Sequence, residues 1–409
     1  MMNDEQKAKS NRGLARVVVL AVFFTTPLRA SVPAPCERQR GHPREKAGCG
    51  STLHDSSAVG SSPSDAAGVG AQPASASLAI NNGPRTTDPR DSATDNRQFP
   101  VPLGLPPIPW PDDNPYSPAR AELGKILFFD GRLSANGVVS CAFCHEPEHA
   151  FAGSTPFAKG VDGKSGVRHT PTLINRAWGK SQFWDGRAAT LESQIRDPVS
   201  NRDEMGMTPD RVVQKVSGIK GYAPLFAAAF GDRAVSFERI EKAIATFERT
   251  IVSGNSAYDR YAAGDKSALT KQQKDGLDFF NKKGECAECH SGPDFTTEKF
   301  ANLGIGMDLI RPDPGREALT GKKRDFGKFK VPTLRDLARR APYMHDGSMK
   351  TLDDVLDVYA KGGLPNPDLD TRLAPFYLDE ETKRDLLAFL DALNGEGWQK
   401  IVPPTTFPQ

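Results

Sequence analysis

The pattern CxxCH occurs twice in this chain, as CAFCH over Cys141, Cys144 and His145 and as CAECH over Cys286, Cys289 and His290. Two thiols one helical turn apart can add to the two vinyl groups of a haem, and the adjacent imidazole is then carried onto the iron. The rival is a structural zinc site of four thiolates. Its two pairs would stand roughly 15–20 residues apart, far less than the stretch from Cys144 to Cys286, and zinc does not require the histidine that follows both pairs. A redox CxxC pair fails on the same histidine. The sequence therefore implies two covalently bound haem c groups, and the rest of the chain has to be read as what surrounds them.

With 409 residues, 38% hydrophobic and 25% charged, the chain has material for two domains and is too polar for a multispanning membrane protein. Its formal charge of +2 offers no excess to attract nucleic acid. Lys7, Lys9, Arg12 and Arg16, the apolar run Val17 to Phe24 and the small residue Ala30 read as an export signal over residues 1–30, too short to span a bilayer. The expected location is the periplasm, with no membrane span in the mature chain. Residues 31–99 are rich in Ser, Ala, Gly and Pro and read as a disordered low-complexity linker. Cys36 and Cys49 lie there and could pair, and no catalytic role is assigned to them.

Globular patterning begins near Pro100, and helical periodicity outweighs alternation. Phe237, Ile240, Ile244, Phe247 and Ile251 recur at steps of three and four, with Ser236 as N-cap and Gly254 as the expected stop. Leu386, Leu387, Leu390 and Leu393 repeat the device between Asp379 and Gly395. The expected class is mainly α, with long Gly/Pro/Asp loops, as if something other than side chains fills the interior.

An internal repeat is also legible. The 25 residues from Pro171 align without gaps on those from Pro332, sharing PTL, DG and TL at a constant offset of 161. In the second copy Thr351 can cap a helix that places Leu352, Val355, Leu356 and Tyr359 on one face before Gly362 and Gly363 stop it. The offset carries Tyr359 onto Pro198, which has no ligating atom. A tyrosine could close the sixth position of the second iron, whereas proline leaves the first open to a small oxidant. Peroxide cleavage there needs a group that moves protons, and Gln194 and Glu204 flank Pro198. Taken alone, Glu204 reads first as part of a solvated loop and Tyr359 as a core residue, and only the duplicated haem motif raises the functional reading. Trp184 lies in the copied DG turn, opposite His345, as core filling or as an electron relay.

Together these stretches, from ELGKILFFDGRLSANGVVSCAFCHEPEHAFAG to VPTLRDLARRAPYMHDGSMKTLDDVLDVY, resemble the bacterial dihaem cytochrome c peroxidase family, which includes the MauG-type enzymes. The resemblance covers roughly residues 115 to 395. It implies two cytochrome c-like haem domains, 100–270 with a peroxidatic haem and 271–409 with an electron-transfer haem. It further implies His145 and His290 as proximal ligands, Trp184 between the haems, Gln194 and Glu204 at the peroxide pocket, and Tyr359 as a MauG-like sixth ligand in place of methionine. Three positions depart from the family pattern. Val161 stands where a distal histidine blocks the resting haem in many members. His169 replaces the asparagine of an inter-haem calcium site whose backbone carbonyls would come from Arg340 and Pro342, and imidazole suits calcium poorly. Gly284 replaces a tryptophan that the MauG type uses on its protein substrate. The expected function is a periplasmic dihaem peroxidase, reducing hydrogen peroxide with electrons from a small donor such as a cytochrome c or cupredoxin. The alternatives are a MauG-like enzyme that uses a high-valent iron state to oxidise a partner protein, and a non-catalytic electron-transfer cytochrome.

Overall fold

The computed structural model describes residues 99–409; the export signal, the linker and Cys36 and Cys49 lie outside them. Eleven helices follow in order: α1 Pro118–Phe129, α2 Cys141–Cys144, α3 Leu191–Ser200, α4 Pro209–Gly218, α5 Tyr222–Phe230, α6 Phe237–Glu248, α7 Ala257–Ala262, α8 Lys271–Asn281, α9 Glu317–Thr320, α10 Leu352–Ala360 and α11 Glu380–Asp391. Strands are confined to two antiparallel pairs of two residues each, β1 Ser253–Gly254 with β4 Glu396–Gly397 and β2 Phe300–Ala301 with β3 Phe329–Lys330. The described part is thus mainly α, as expected. No helix among the described residues is long and apolar enough to cross a membrane.

Two helix pairs build two cores. α1 packs on α6 and α8 on α11. Each starts at a side-chain cap that satisfies a free backbone N–H: Ser117 and Ser236 for the first pair, Thr270 and Asp379 for the second. At each crossing a glycine meets the facing backbone, so that a Cβ on Gly124 would strike the Ala243 carbonyl and one on Gly276 the Asp385 carbonyl. Equivalent aromatic pairs lock the crossings, Phe128 with Phe247 at 5.2 Å between centroids and Phe280 with Phe389 at 5.1 Å. Leu123, Leu127, Ile240 and Ile244 bury in the first core, Leu386, Leu390 and Leu393 in the second. Tyr258 of α7 joins the second core, and Trp398 returns to the first.

Helix α6 ends at Glu248, five residues short of the expected stop at Gly254. Beyond Arg249 the chain turns through a bond from Thr250 N–H to the Phe247 carbonyl, and Ser253 N–H is taken by the Asn175 side chain. Gly254 instead lets the backbone approach Leu103 and Pro102, where a side chain would clash. Ile251 is buried without being helical.

The repeat is structural as well as textual. Left-handed Asn175 (φ 58°) and Asp336 (φ 53°) each lead into a short 3₁₀ turn, Arg176–Trp178 and Leu337–Arg339. Bridges then pair Gln182 with Ala188 and Tyr343 with Met349. Thr190 and Thr351 next open α3 and α10 with reciprocal capping boxes. The copies also grip each other symmetrically. His169 N–H donates to the His345 carbonyl and Lys330 N–H to the Trp184 carbonyl, both at 2.7 Å, and the offset of 161 relates His169 to Lys330 and Trp184 to His345.

Because the helix crossings rest on glycine, Gly276→Ala is expected to destabilise the haem-loaded protein by about 1–3 kcal/mol. Gly218→Ala, where a Cβ meets nothing within 4 Å, should leave thermal unfolding unchanged or slightly raised. Equal melting temperatures for the two variants would refute the packing argument.

Candidate functional site

The two CxxCH segments present their chemistry to the same space. Cys141 to Cys144 form the single turn α2, and His145 follows at its C-cap. In the second segment a short 3₁₀ turn, Cys286–Glu288, does the same work. His145 Nδ1 lies 3.2 Å from the carbonyl oxygen of Phe151, and His290 Nδ1 lies 3.2 Å from that of Phe295. A carbonyl only accepts, so each Nδ1 carries the proton and each Nε2 keeps its lone pair, the tautomer that ligates a metal. Both carbonyls are aimed by left-handed phenylalanines, φ 55° and 49°. Burial lowers both imidazoles to about 4, so they are neutral at ordinary pH.

One continuous cavity of about 850 Å³ is lined by all four thiols and both histidines. Burial pushes the thiols up, Cys144 and Cys286 to about 12. Two thiols beside an oriented imidazole, repeated in both segments, suit thioether attachment of a haem. The donor set and the space between the paired segments thus fit two haem groups.

The walls of the cavity differ between copies. Leu191, Gln194, Ile195 and Pro198 of α3 face it in the first, and Leu352, Val355, Leu356 and Tyr359 of α10 in the second. These are equivalent positions, so one glutamine–proline pair is matched by a valine–tyrosine pair. The Tyr359 hydroxyl is buried, and desolvation holds it well above the usual phenol range. Glu204 sits in the loop after α3, which is pinned by Met205 N–H on the Pro198 carbonyl at 3.1 Å and by Val161 N–H on the Glu204 carbonyl at 2.8 Å. Val161 is buried in the first core and offers the cavity no donor. Burial raises the Glu204 carboxyl above the ordinary range, opposed by a 2.8 Å hydrogen bond from Asn201 Nδ2 and by the charge of Arg187. Trp184 donates Nε1–H to the His169 carbonyl at 2.8 Å and stands where the copies meet. Every residue singled out in the sequence as a site residue lines this one cavity.

Among the cavity residues that the sequence did not single out are Glu248, Lys330 and the side chain of Arg340. Glu248 is 3% exposed, with one carboxylate oxygen lacking a partner, and burial raises it to about 8. Lys330 is lowered by burial to about 7. The only available signal was positional, since Lys330 is the repeat partner of His169. Calcium, by contrast, does not fit. His169 commits Nδ1 to the Thr155 carbonyl at 3.0 Å, its ring is a neutral nitrogen donor, and the buried Arg340 guanidinium already places a cation close by. Gly284 packs between Phe279 and Cys286, where a Cβ would come within 2.9 Å of the Phe279 ring.

Comparison with known proteins places this geometry. A family model described as di-haem cytochrome c peroxidase matches residues 118–267. The methylamine utilization protein MauG of Methylorubrum extorquens is 43% identical over 292 residues, 71% of this chain and 82% of that protein. Cytochrome c551 peroxidase of Nitrosomonas europaea is 34% identical over 284 residues, 69% and 82% of the two chains. The crystal structure of a MauG-like protein associated with microbial copper homeostasis superposes with a TM-score of 0.68 at 33% identity, covering 73% of this chain and 95% of that one. The chain belongs to the di-haem cytochrome c peroxidase family, oxidoreductases that carry two haem c groups and act with peroxide or a similar oxidant.

Proposed function

We propose that the protein is a periplasmic di-haem peroxidase that reduces hydrogen peroxide at the site of His145 and takes electrons from a small redox protein through the site of His290. The observation that carries this reading is the unequal pair at equivalent places on α3 and α10, Pro198 with no donor and Tyr359 with a buried hydroxyl. Cys141 and Cys144 would hold one haem and Cys286 and Cys289 the other, with His145 and His290 on the irons. When bound, the haems would relay the donor's electrons and provide the redox-active site for peroxide. Glu204 accepts the proton of the near peroxide oxygen and returns one to the departing oxygen, so that two electrons and two further protons yield two waters. Gln194, one helical turn from Pro198, orients the peroxide by its amide. Trp184, fixed by its bond to His169, bridges the two halves for electrons. Val161 leaves the first site without a histidine to displace. Tyr359 would be the residue that holds the second haem on this side, and an anionic oxygen donor there would favour its oxidised form.

A second reading is favoured by Tyr359 and by the 43% identity to MauG: oxidation of side chains on a partner protein. Gly284, which presents no aromatic group beside the second motif, weighs against it. The two are separated by mixing the ferric protein with peroxide, with and without a reduced cytochrome c. Rapid donor oxidation supports the peroxidase. A slow donor reaction with a long-lived oxidised species supports the second reading, and inertness to peroxide refutes both.

Glu204→Gln should lower peroxide turnover by about 10²–10⁴-fold with both haems still attached; undiminished turnover removes Glu204 from the chemistry. Since burial raises this carboxyl, its proton-accepting form accumulates only above the ordinary carboxylate range. Turnover should therefore rise with pH across that region, and the rise should vanish in Glu204→Gln. Tyr359→Phe should alter the absorption and spin state of the His290 haem while leaving the His145 haem as it was. An unaltered spectrum would exclude the phenol as a ligand.

A further inference from the structure

Three buried cations line the cavity, and two have carboxylate partners. Arg176 pairs with Glu298 at 2.5 Å, and Lys330 lies 3.7 Å from the same carboxylate. Arg340 has none within 4 Å among the described residues, although it is only 7% exposed. Its Nη2 donates to the Thr333 carbonyl at 2.7 Å and its Nε to the Asp336 carbonyl at 3.3 Å, which leaves Nη1 without a protein acceptor. The nearest acids are committed elsewhere. The Asp336 carboxylate takes Ser253 Oγ and Trp398 Nε1, and Asp294 takes Asn175 Nδ2 and Thr333 Oγ1.

A lone cation taken out of water costs several kcal/mol unless an anion meets it. The repeat shows that this is a built difference. The partner of Arg340 in the first copy is Gly179, and the space its side chain would enter is filled by the guanidinium of Arg176, which brings Glu298 with it. The guanidinium of Arg176 thus meets a carboxylate, contributed by Glu298 from the other half of the chain, whereas Arg340 meets none. A haem c tethered by its vinyl edge carries two propionate carboxylates at the opposite edge, and these are the anions that the cavity would receive.

We propose that Arg340 is the counter-ion of a propionate on the haem held by Cys286, Cys289 and His290, and that this fixed guanidinium supplies the inter-haem positive charge in place of a calcium ion. The assignment to the second haem follows from the chain: Arg340 is bonded to Thr333, next to Pro332, whose carbonyl lies beside the His290 ring. A cation so close to the second haem favours its reduced form.

This inference rests on the di-haem reading, and the test separates the two. Haem is first counted on the purified holoprotein as the pyridine complex, and fewer than two haems per chain would overturn the di-haem reading itself. With two haems present, potentiometric titration of Arg340→Gln should show the His290 haem about tenfold less reduced at fixed potential, a fall of about 59 mV for one electron, with the His145 haem unmoved. Arg340→Lys should recover most of the shift. A second-haem potential unchanged in Arg340→Gln, or an equal shift of both haems, overturns the proposal. Should Arg340→Gln fail to mature, Arg340→Lys decides alone, because retained attachment with a near-native potential is expected of a charge role and a lost haem speaks against it. Prolonged dialysis of the wild type against EGTA should leave both potentials in place; a fall of the second on chelation would restore calcium and overturn the substitution.

Discussion

Backbone meeting backbone at Gly124 and Gly276 is the constraint from which the rest follows. Only a residue without a Cβ lets α1 lie on the carbonyls of α6, and α8 on those of α11. That close crossing sets the edge of each core, and the CxxCH turns hang directly after it. The remaining interior is not closed by side chains, since the long loops wrap a cavity of about 850 Å³. Two haem groups, the cofactors of this family, would supply there the contacts that a packed core makes. The fold is thus completed by what it binds, and helix packing and cofactor attachment are two parts of one folding problem.

Duplication explains why the two sites share a frame, and substitution explains why they differ. Caps, left-handed turns and bridges coincide at an offset of 161 residues, while the chemistry at matched places diverges: glutamine against valine, proline against tyrosine, tryptophan against histidine, glycine against arginine. The first three pairs lie on walls of the cavity, as does Arg340, while Gly179 sits against Arg176; none of them is a cap. The scaffold holds the two halves of the cavity in register, and in the proposed reading single side chains assign acid–base work to one half and shielding and charge to the other.

The helices and the duplicated motifs were legible because their signals are local, and the candidate residues picked out with them line one cavity. Ser236, Thr351 and Asp379 announce helix starts with hydroxyl or carboxylate caps, and CxxCH carries its chemistry in five residues. The end of α6 was not legible, because contacts from Asn175 and Leu103, distant in sequence, decide where the chain leaves the helix. Nor was the isolation of Arg340, which depends on acids that are near in space and already bonded to other groups. Glu248 looks like any solvent-facing residue near a helix end until the fold buries it.

The reciprocal bonds between His169 and His345 and between Lys330 and Trp184 use only main-chain atoms. No replacement of a side chain other than by proline deletes such a bond, so the spacing between the two redox centres is shielded from most point mutations. Tunnelling rates fall steeply with distance, and a junction of this kind lets selection retune donors, oxidants and potentials while the electron's path length stays the same.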